Sequence, residues 1–274
     1  ILNIAQDIVL GCYYLTYPKP SSQVKDVKSY SSIAEAVMAK DRGAIKLQTP
    51  IRIAIKGETR ETSLGRVFFN EILPTDFRYV NEVMTKKSLK KVLQQVFLQY
   101  GSEQTAETAD AIKDLALRYA TESAVSTGMN DYFDVPEIDA KIIPSGDART
   151  AQISEQYEQG LITDEERYSL TVETWRNIDK EIIKVLSDKI QNEDTSIAIM
   201  VDSGARGDIS NVQLASAMIG IMVDATNREI ELPIRSNYKH GLSSLEQFVA
   251  TRGSRKGLID TALKTADSGY LTRR

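Results

Sequence analysis

From Ser243 to Arg274 the residues hold a helical pattern that no proline interrupts. At about 1.5 Å of rise per residue this predicts roughly 46 Å of helix, enough to cross a cleft. Ser243 and Glu246 stand three apart as a capping box, in which the serine takes an orphan helix amide and the glutamate reaches back to the cap amide. Within the run Thr261, Ala262, Thr265, Ala266 and Gly269 recur at i, i+3 and i+4. One face is therefore almost free of bulk, and a broad ligand surface can lie against it. Arg252, Arg255, Lys256, Lys264, Arg273 and Arg274 outnumber Asp260 and Asp267, a basic stretch whose natural partner is phosphate. Gly253, Gly257 and Gly269 each cost a helix about 1 kcal/mol relative to alanine, which makes the element bendable. Pattern alone admits at least as well two ordinary helices broken at Gly253, with small residues allowing close packing.

The basic stretch is local, because the 274 residues carry a formal charge of -4. A chain that holds nucleic acid through bulk electrostatics usually presents a net basic face, so any such contact must be confined. Cys12 is the only cysteine and His240 the only histidine. That excludes a disulfide framework, a Cys/His zinc site and a histidine-based triad within the chain. No apolar run reaches the ~18 residues a bilayer requires, and no basic segment with an apolar core heads the chain. A soluble, cytoplasmic protein without membrane contact is expected. Ile1 stands in place of an initiator methionine and the last pattern stops without a glycine or proline, so a piece of a longer chain is expected.

The fold class expected is α+β and predominantly helical: a small mixed strand and helix subdomain, an antiparallel helical hairpin and the long C-terminal helix. In the first part Ile51, Ile53 and Ile55 alternate with Arg52, Ala54 and Lys56, the period of a half-buried strand, and Thr62 to Leu73 reads as a further extended stretch ending at Pro74. Ser32 with Glu35 opens a helix that should stop at Gly43. Leu89, Val92, Leu93, Val96, Phe97 and Tyr100 mark one apolar helical stripe, and Ile112, Leu115, Ala116 and Tyr119 another. Further on, one helix runs up to Gly160 and Thr163 with Glu166 opens the next, its inward stripe being Trp175, Ile178, Ile182 and Leu186. Ser196 to Val201 reads as a strand leading into the glycine-rich turn Asp202 to Gly207, whose exposed amides and Arg206 suit phosphate oxygens, although an ordinary turn is the better fit.

The string GLIDTALKTADSGYLTRR, Gly257 to Arg274, resembles the bridge helix of the largest subunit of multi-subunit DNA-directed RNA polymerases, and its ending resembles the bacterial form. QDIVLGCYYLT from Gln6, GRVFFNEILP from Gly65, YATESAVSTGMND from Tyr119, QYEQGLITDEERY from Gln156, DSGARG from Asp202 and ELPIRSNYKHGL from Glu231 resemble the same subunit in the same order. The resemblance covers nearly the whole chain.

It implies a pore or active-site-proximal domain over 1–133, a funnel domain with rim helices over 134–234, and the start of the bridge-helix domain over 235–274. The family copies DNA into RNA with two Mg2+ ions, held by an Asp-x-Asp-x-Asp motif that does not occur here, so the segment is expected to hold no catalytic residue and no metal. The resemblance places Thr261, Ala262, Thr265, Ala266 and Gly269 beside the template base, Lys256, Lys264, Arg273 and Arg274 near the nucleic-acid backbone, and Arg206 facing the incoming triphosphate. The implied partners are the beta, alpha, omega and sigma subunits, template DNA, nascent RNA and secondary-channel factors at the rim helices. Gln213 and Ile219 stand where arginines are usual, Ser169 and Leu170 replace an Asn-Lys pair on the rim, and Arg252 replaces a histidine. The competing expectation is a free-standing helical module that binds a protein partner.

Overall fold

The computed structural model describes residues 4–18, 27–55 and 57–274. The chain forms two compact units, Ile1–Asp131 with Lys189–Asp208, and Tyr132–Asp188 with Ile209–Arg274. No helix among the described residues is long and apolar enough to cross a membrane. The predominantly helical α+β expectation holds.

In the first unit β1 (Lys28–Tyr30) pairs in parallel with β2 (Pro50–Ile55), which pairs antiparallel with β3 (Glu58–Ser63). The alternation is realised: Ile51 and Ile53 are buried while Arg52 and Ala54 face out, and Lys56 lies outside the described residues. The extended reading of Thr62 to Leu73 is corrected, because β3 ends at Ser63 and α3 (Leu64–Glu71) begins at once. Ser63 is the cause, its hydroxyl accepting from the Arg66 amide at 3.4 Å as an N-cap.

Ser32 caps α2 (Ile33–Asp41) as expected, and Gly43 past its end takes φ 73°. The two apolar stripes lie on the two helical halves of α4 (Lys86–Ser123), which are separated at Gly101, where φ 81° and ψ -172° leave the helical region. Phe97 departs from the expected stripe and is 52% exposed. α1 (Asp7–Thr16) lies so close to α4 that a Cβ on Gly11 would stand 1.9 Å from Ala116 O, and one on Gly65 of α3 would stand 1.9 Å from Leu15 O. Between them Val9, Cys12, Phe69, Leu89, Ile112 and Ala116 form a core.

In the second unit a π-helical turn (Ile138–Ile142) leads into α5 (Ile143–Glu158), and Gly160 at φ 73° reverses the chain into α6 (Asp164–Asn192), whose residues from Lys189 belong to the first unit. Thr163 and Glu166 form the expected reciprocal cap. The Arg167 guanidinium lies over the Tyr157 ring, and Gly146 meets Trp175 and Ile178, pairings that fix the hairpin as antiparallel. Trp175, Ile178, Ile182 and Leu186 are fully buried, as their spacing requires.

After α8 (Ile209–Ser216) a ribbon folds back on itself through the pairs Gly220 with Ile234 and Val223 with Glu229. Asp224 Oδ1 accepts from the amides of Thr226 and Arg228, and Asn227 takes φ 66° at the tip, so side-chain bonds set the turn. The last element is α9 (Ser244–Arg273), continuous through Gly253, which decides against two helices broken there.

Candidate nucleic-acid interface

Ser196 to Val201 is not a strand but the body of α7 (Ser196–Ser203). A short apolar run carries no period, and Thr195 tips it to helix by accepting from the Ala198 amide at 3.3 Å. The turn that follows is a helix stop, with Gly204 at φ 71° and Gly207 at φ 79°. Its amides are spent internally: Gly204 N–H donates to Val201 O, Ala205 N–H to Ser203 Oγ and Arg206 N–H to Met200 O. Those three amides are not open to phosphate oxygens, which favours the ordinary turn. What remains is the Arg206 side chain, exposed, with no carboxylate partner among the described residues. It lines a cavity of about 310 Å³ with Gln6, Asp7, Leu10, Met200 and Ala205. Tyr13 braces this turn by donating to Asp202 Oδ2 at 2.5 Å, and burial first, then that carboxylate, push its hydroxyl far above the ordinary range, so it remains a donor.

In the second unit the root of α9 is held and its far half is free. The Glu246 carboxylate closes the predicted capping box and also accepts from the amides of Arg235 and Ser236 at 3.1 Å and from the Ser236 hydroxyl at 2.9 Å. Burial works to raise its pKa, but the bonds from Ser243 and Ser236 outweigh it and bring it down to about 2. A group depressed in this way stabilises the fold above the unfolded pKa and loses that contribution as pH falls through about 2. Because the side chain is partly solvated, Glu246→Ala is expected to cost only about 2 kcal/mol at pH 7. Urea titrations at pH 7 and pH 2.5 should show that cost shrinking in acid, and an unchanged cost would remove the carboxylate as its source.

Val249 and Ala250 are the only buried residues of α9. Gly253 faces Met222, whose Cε would lie 2.3 Å from a Cβ there, and Lys256 donates to Asn227 Oδ1. From Thr261 to Arg274 every residue is exposed. The expected small face is thus brought together on one open helix side. Thr261 and Thr265 turn their hydroxyls back to Gly257 O and Ala262 O, which leaves methyl groups outward. Among the four expected cations Lys264, Arg273 and Arg274 are exposed, whereas Lys256 is engaged with Asn227 and lies 4.0 Å from Asp260. Arg206 and this face lie in different units.

Among the described residues no group of three His, Cys, Asp or Glu side chains is placed to hold a metal ion. Three successive family descriptions match the chain: RNA polymerase Rpb1, domain 3 over residues 1–132, domain 4 over 162–247 and domain 5 over 241–274. The chain is 39% identical over 270 residues to the DNA-directed RNA polymerase subunit beta' of Desulforudis audaxviator, with 98% of this chain and 23% of that protein covered. It is 40% identical to the subunit of the same description from Lachnoclostridium phytofermentans (98% and 23% covered) and 38% identical to that of Thermoanaerobacter sp. (100% and 25%). The chain belongs to the RNA polymerase beta' family. It spans about a quarter of the length of those relatives, and a free-standing module is not favoured.

The positions that the resemblance singled out as unusual have clear places. Ser169 and Leu170 are exposed on α6, and Ile219 is buried in a core with Ile234, Val249 and Ala250. Gln213 is buried and donates to Asp179 Oδ1 at 3.1 Å and to Met218 O at 3.2 Å. Asp179 has no cation for a partner among the described residues, and burial raises its carboxyl to about 6 despite that bond. The unfolded state then gives up its proton first, so stability falls as pH rises from about 4 to 6. Asp179→Asn is expected to stabilise the chain by about 1 to 2 kcal/mol at pH 8 and by nothing near pH 4. Denaturation at the two pH values tests this, and an equal shift at both would refute it. The sequence reading missed Asp179 and Asn227. The Asp-Ala-Thr-Asn order at the ribbon tip was a usable turn signal, whereas the burial of Asp179 left none.

Proposed function

We propose that this chain forms the pore, funnel and bridge-helix part of a DNA-directed RNA polymerase, an enzyme that joins nucleoside triphosphates on a DNA template. The observation that carries the reading is α9, whose half from Thr261 onward is exposed on all sides and joins a small-residue face to Lys264, Arg273 and Arg274. A helix with a smooth face and free cations suits a stacked base pair flanked by phosphates, where charge positions a strand without reading its sequence. On this reading Thr261, Ala262, Thr265, Ala266 and Gly269 bear on the template base, Lys256 joins the three cations at the backbone, and Arg206 meets the incoming triphosphate.

The division into 1–133, 134–234 and 235–274 belongs to the same proposal, as do a cytoplasmic setting beside DNA and the beta, alpha, omega and sigma subunits as partners. Factors that enter the secondary channel would dock on α5 and α6, with Ser169 and Leu170 altering what they meet. On this reading the two Mg2+ ions of the reaction are held outside this segment, and no step is assigned to a metal here. What these residues do is orient template and triphosphate.

The test is capture of the native polypeptide with an antibody against residues 147–190. A subunit several times larger than 30.5 kDa, arriving with other polymerase subunits and template-dependent RNA synthesis, is the expected result. A lone species of this mass without synthesis would overturn it.

A further inference from the structure

A cavity of about 510 Å³ opens in the first unit between the β2–β3 hairpin, the start of α2, α3 and the loop that follows α3. It holds none of the residues to which the proposed function gives a role. Its volume falls within the range of small-molecule sites, about 300 to 1,000 Å³. Among its lining Val67, Leu73 and Phe77 are buried and Ile33 and Ile55 are half-buried, so much of the wall is carbon.

That wall is held from behind. Asn70 donates through Nδ2 to Arg66 O and Val80 O at 2.8 Å and accepts from the Val80 amide at 2.7 Å, which ties the far end of the loop back to α3. Within the loop the Phe77 amide donates to Pro74 O at 2.9 Å. Thr62 gives its hydroxyl proton to Asn81 Oδ1, so in the 2.9 Å contact between the Thr62 and Tyr79 hydroxyls it is Tyr79 that donates. The polar atoms of Asn70 and Tyr79 are thus spent within the protein, and Tyr79 lends the cavity its ring. The cations are not spent. The Arg60 guanidinium lies 5.2 Å from the centroid of that ring and sets Nε and Nη2 on Glu58 Oε2 at 3.2 and 2.6 Å, which fixes its plane and leaves Nη1 without an acceptor among the described residues. Arg78 is exposed and has no carboxylate partner among the described residues. Against these two the lining sets one carboxylate, Glu71.

We propose that this cavity is a binding site for a small aromatic anion, a planar ring system that bears a carboxylate. The ring system takes the apolar wall and the Arg60–Tyr79 stack, and the carboxylate takes Arg60 Nη1 and Arg78. A guanidinium suits that task, because its paired N–H groups match the two oxygens of a carboxylate and it is weakly hydrated for a cation. A neutral apolar ligand would leave both guanidinium groups unused, and a polyphosphate would find too few cations, since Glu71 offsets one of the two. The bonds behind the wall fix its shape before a ligand arrives, so little ordering is required on binding.

The experiment uses the full-length protein in its native complex, with naphthalene-2-carboxylate as the probe and naphthalene-2-carboxamide as its uncharged counterpart. Amide exchange over residues 58–63 and 70–79 is read as each is titrated. The carboxylate should slow exchange in both stretches, and the amide should need roughly tenfold more to do the same, the scale of a hydrogen bond to a charged group. Arg60→Leu and Arg78→Gln should each weaken the carboxylate by roughly tenfold and leave the amide as it was. Ala54→Trp puts an indole into the cavity from an exposed strand position, where aromatic residues are well tolerated, and should abolish the response to both compounds. Exchange over α1 and α4 without probe should match the parent in all three variants, which shows that the fold is kept. No slowing at the solubility limit of the carboxylate overturns the site, as does slowing that survives Ala54→Trp. Equal response to carboxylate and amide overturns the recognition of an anion on which it rests.

Discussion

Replacing Gly11 by alanine is expected to destabilise the first unit by about 3 kcal/mol or more, at the upper end of what overpacking costs. The new methyl carbon would stand 1.9 Å from Ala116 O and 2.6 Å from its carbonyl carbon. Those are backbone atoms in the middle of α4, with no rotamer to turn away, so the helices must separate and surrender the core that Val9, Cys12, Ile112 and Ala116 share. Gly65→Ala should behave alike against Leu15 O. Two other glycines supply the contrast. Gly43 has open space but φ 73°, so alanine there should cost about 1 kcal/mol through strain alone. Gly257 has open space within α9, so alanine there should stabilise by about 1 kcal/mol. Thermal denaturation of the four variants orders them, and a Gly11→Ala protein as stable as the parent would deny the close crossing. On the proposed role of Arg206, Gly11→Ala should also weaken function, because α1 carries Tyr13, which braces the turn bearing Arg206.

The parts of this fold that could be read in advance are those set by local chemistry. Capping boxes at Ser32, Thr163 and Ser243 each marked a helix start, and the alternation at Ile51 to Ile55 marked a strand, because in both cases the deciding bonds lie within a few residues. Where a short apolar run carries no period of its own, the reading failed even though the deciding cap stood next to it. Leu64 to Glu71 has the composition of a strand, and the Ser63 cap was needed to make it helix. Ser196 to Val201 failed the same way at Thr195. The small face and cations of α9 were visible as spacing, but nothing in that stretch said that Lys256 would meet Asn227, a contact 29 residues away. The family resemblance supplied roles for those residues, and the geometry supplied their contacts.

Truncating Trp175 to alanine is expected to cost the second unit about 3 to 5 kcal/mol, the range for a fully buried tryptophan. The ring is the meeting point of three elements. A Cβ on Gly146 of α5 would stand 2.9 Å from its Cζ3, Ile178 flanks it one turn along α6, and the Arg235 guanidinium sits 5.9 Å from its centroid. Arg235 in turn donates its amide to Glu246 and pairs with Asp147 at 2.6 Å. The cavity left by alanine would therefore loosen the hairpin and the root of α9 together. Trp175→Phe should be far milder, about 1 kcal/mol, since Nε1 has no protein acceptor among the described residues and removing it breaks no bond. Urea denaturation of both variants, read beside amide exchange at 143–158 and 244–256, separates the cases. Exchange rising in both stretches for alanine and in neither for phenylalanine would place the packing of one ring beneath the hairpin and the long helix alike. A phenylalanine variant as damaged as alanine would mean that the indole nitrogen, not ring volume, holds the junction.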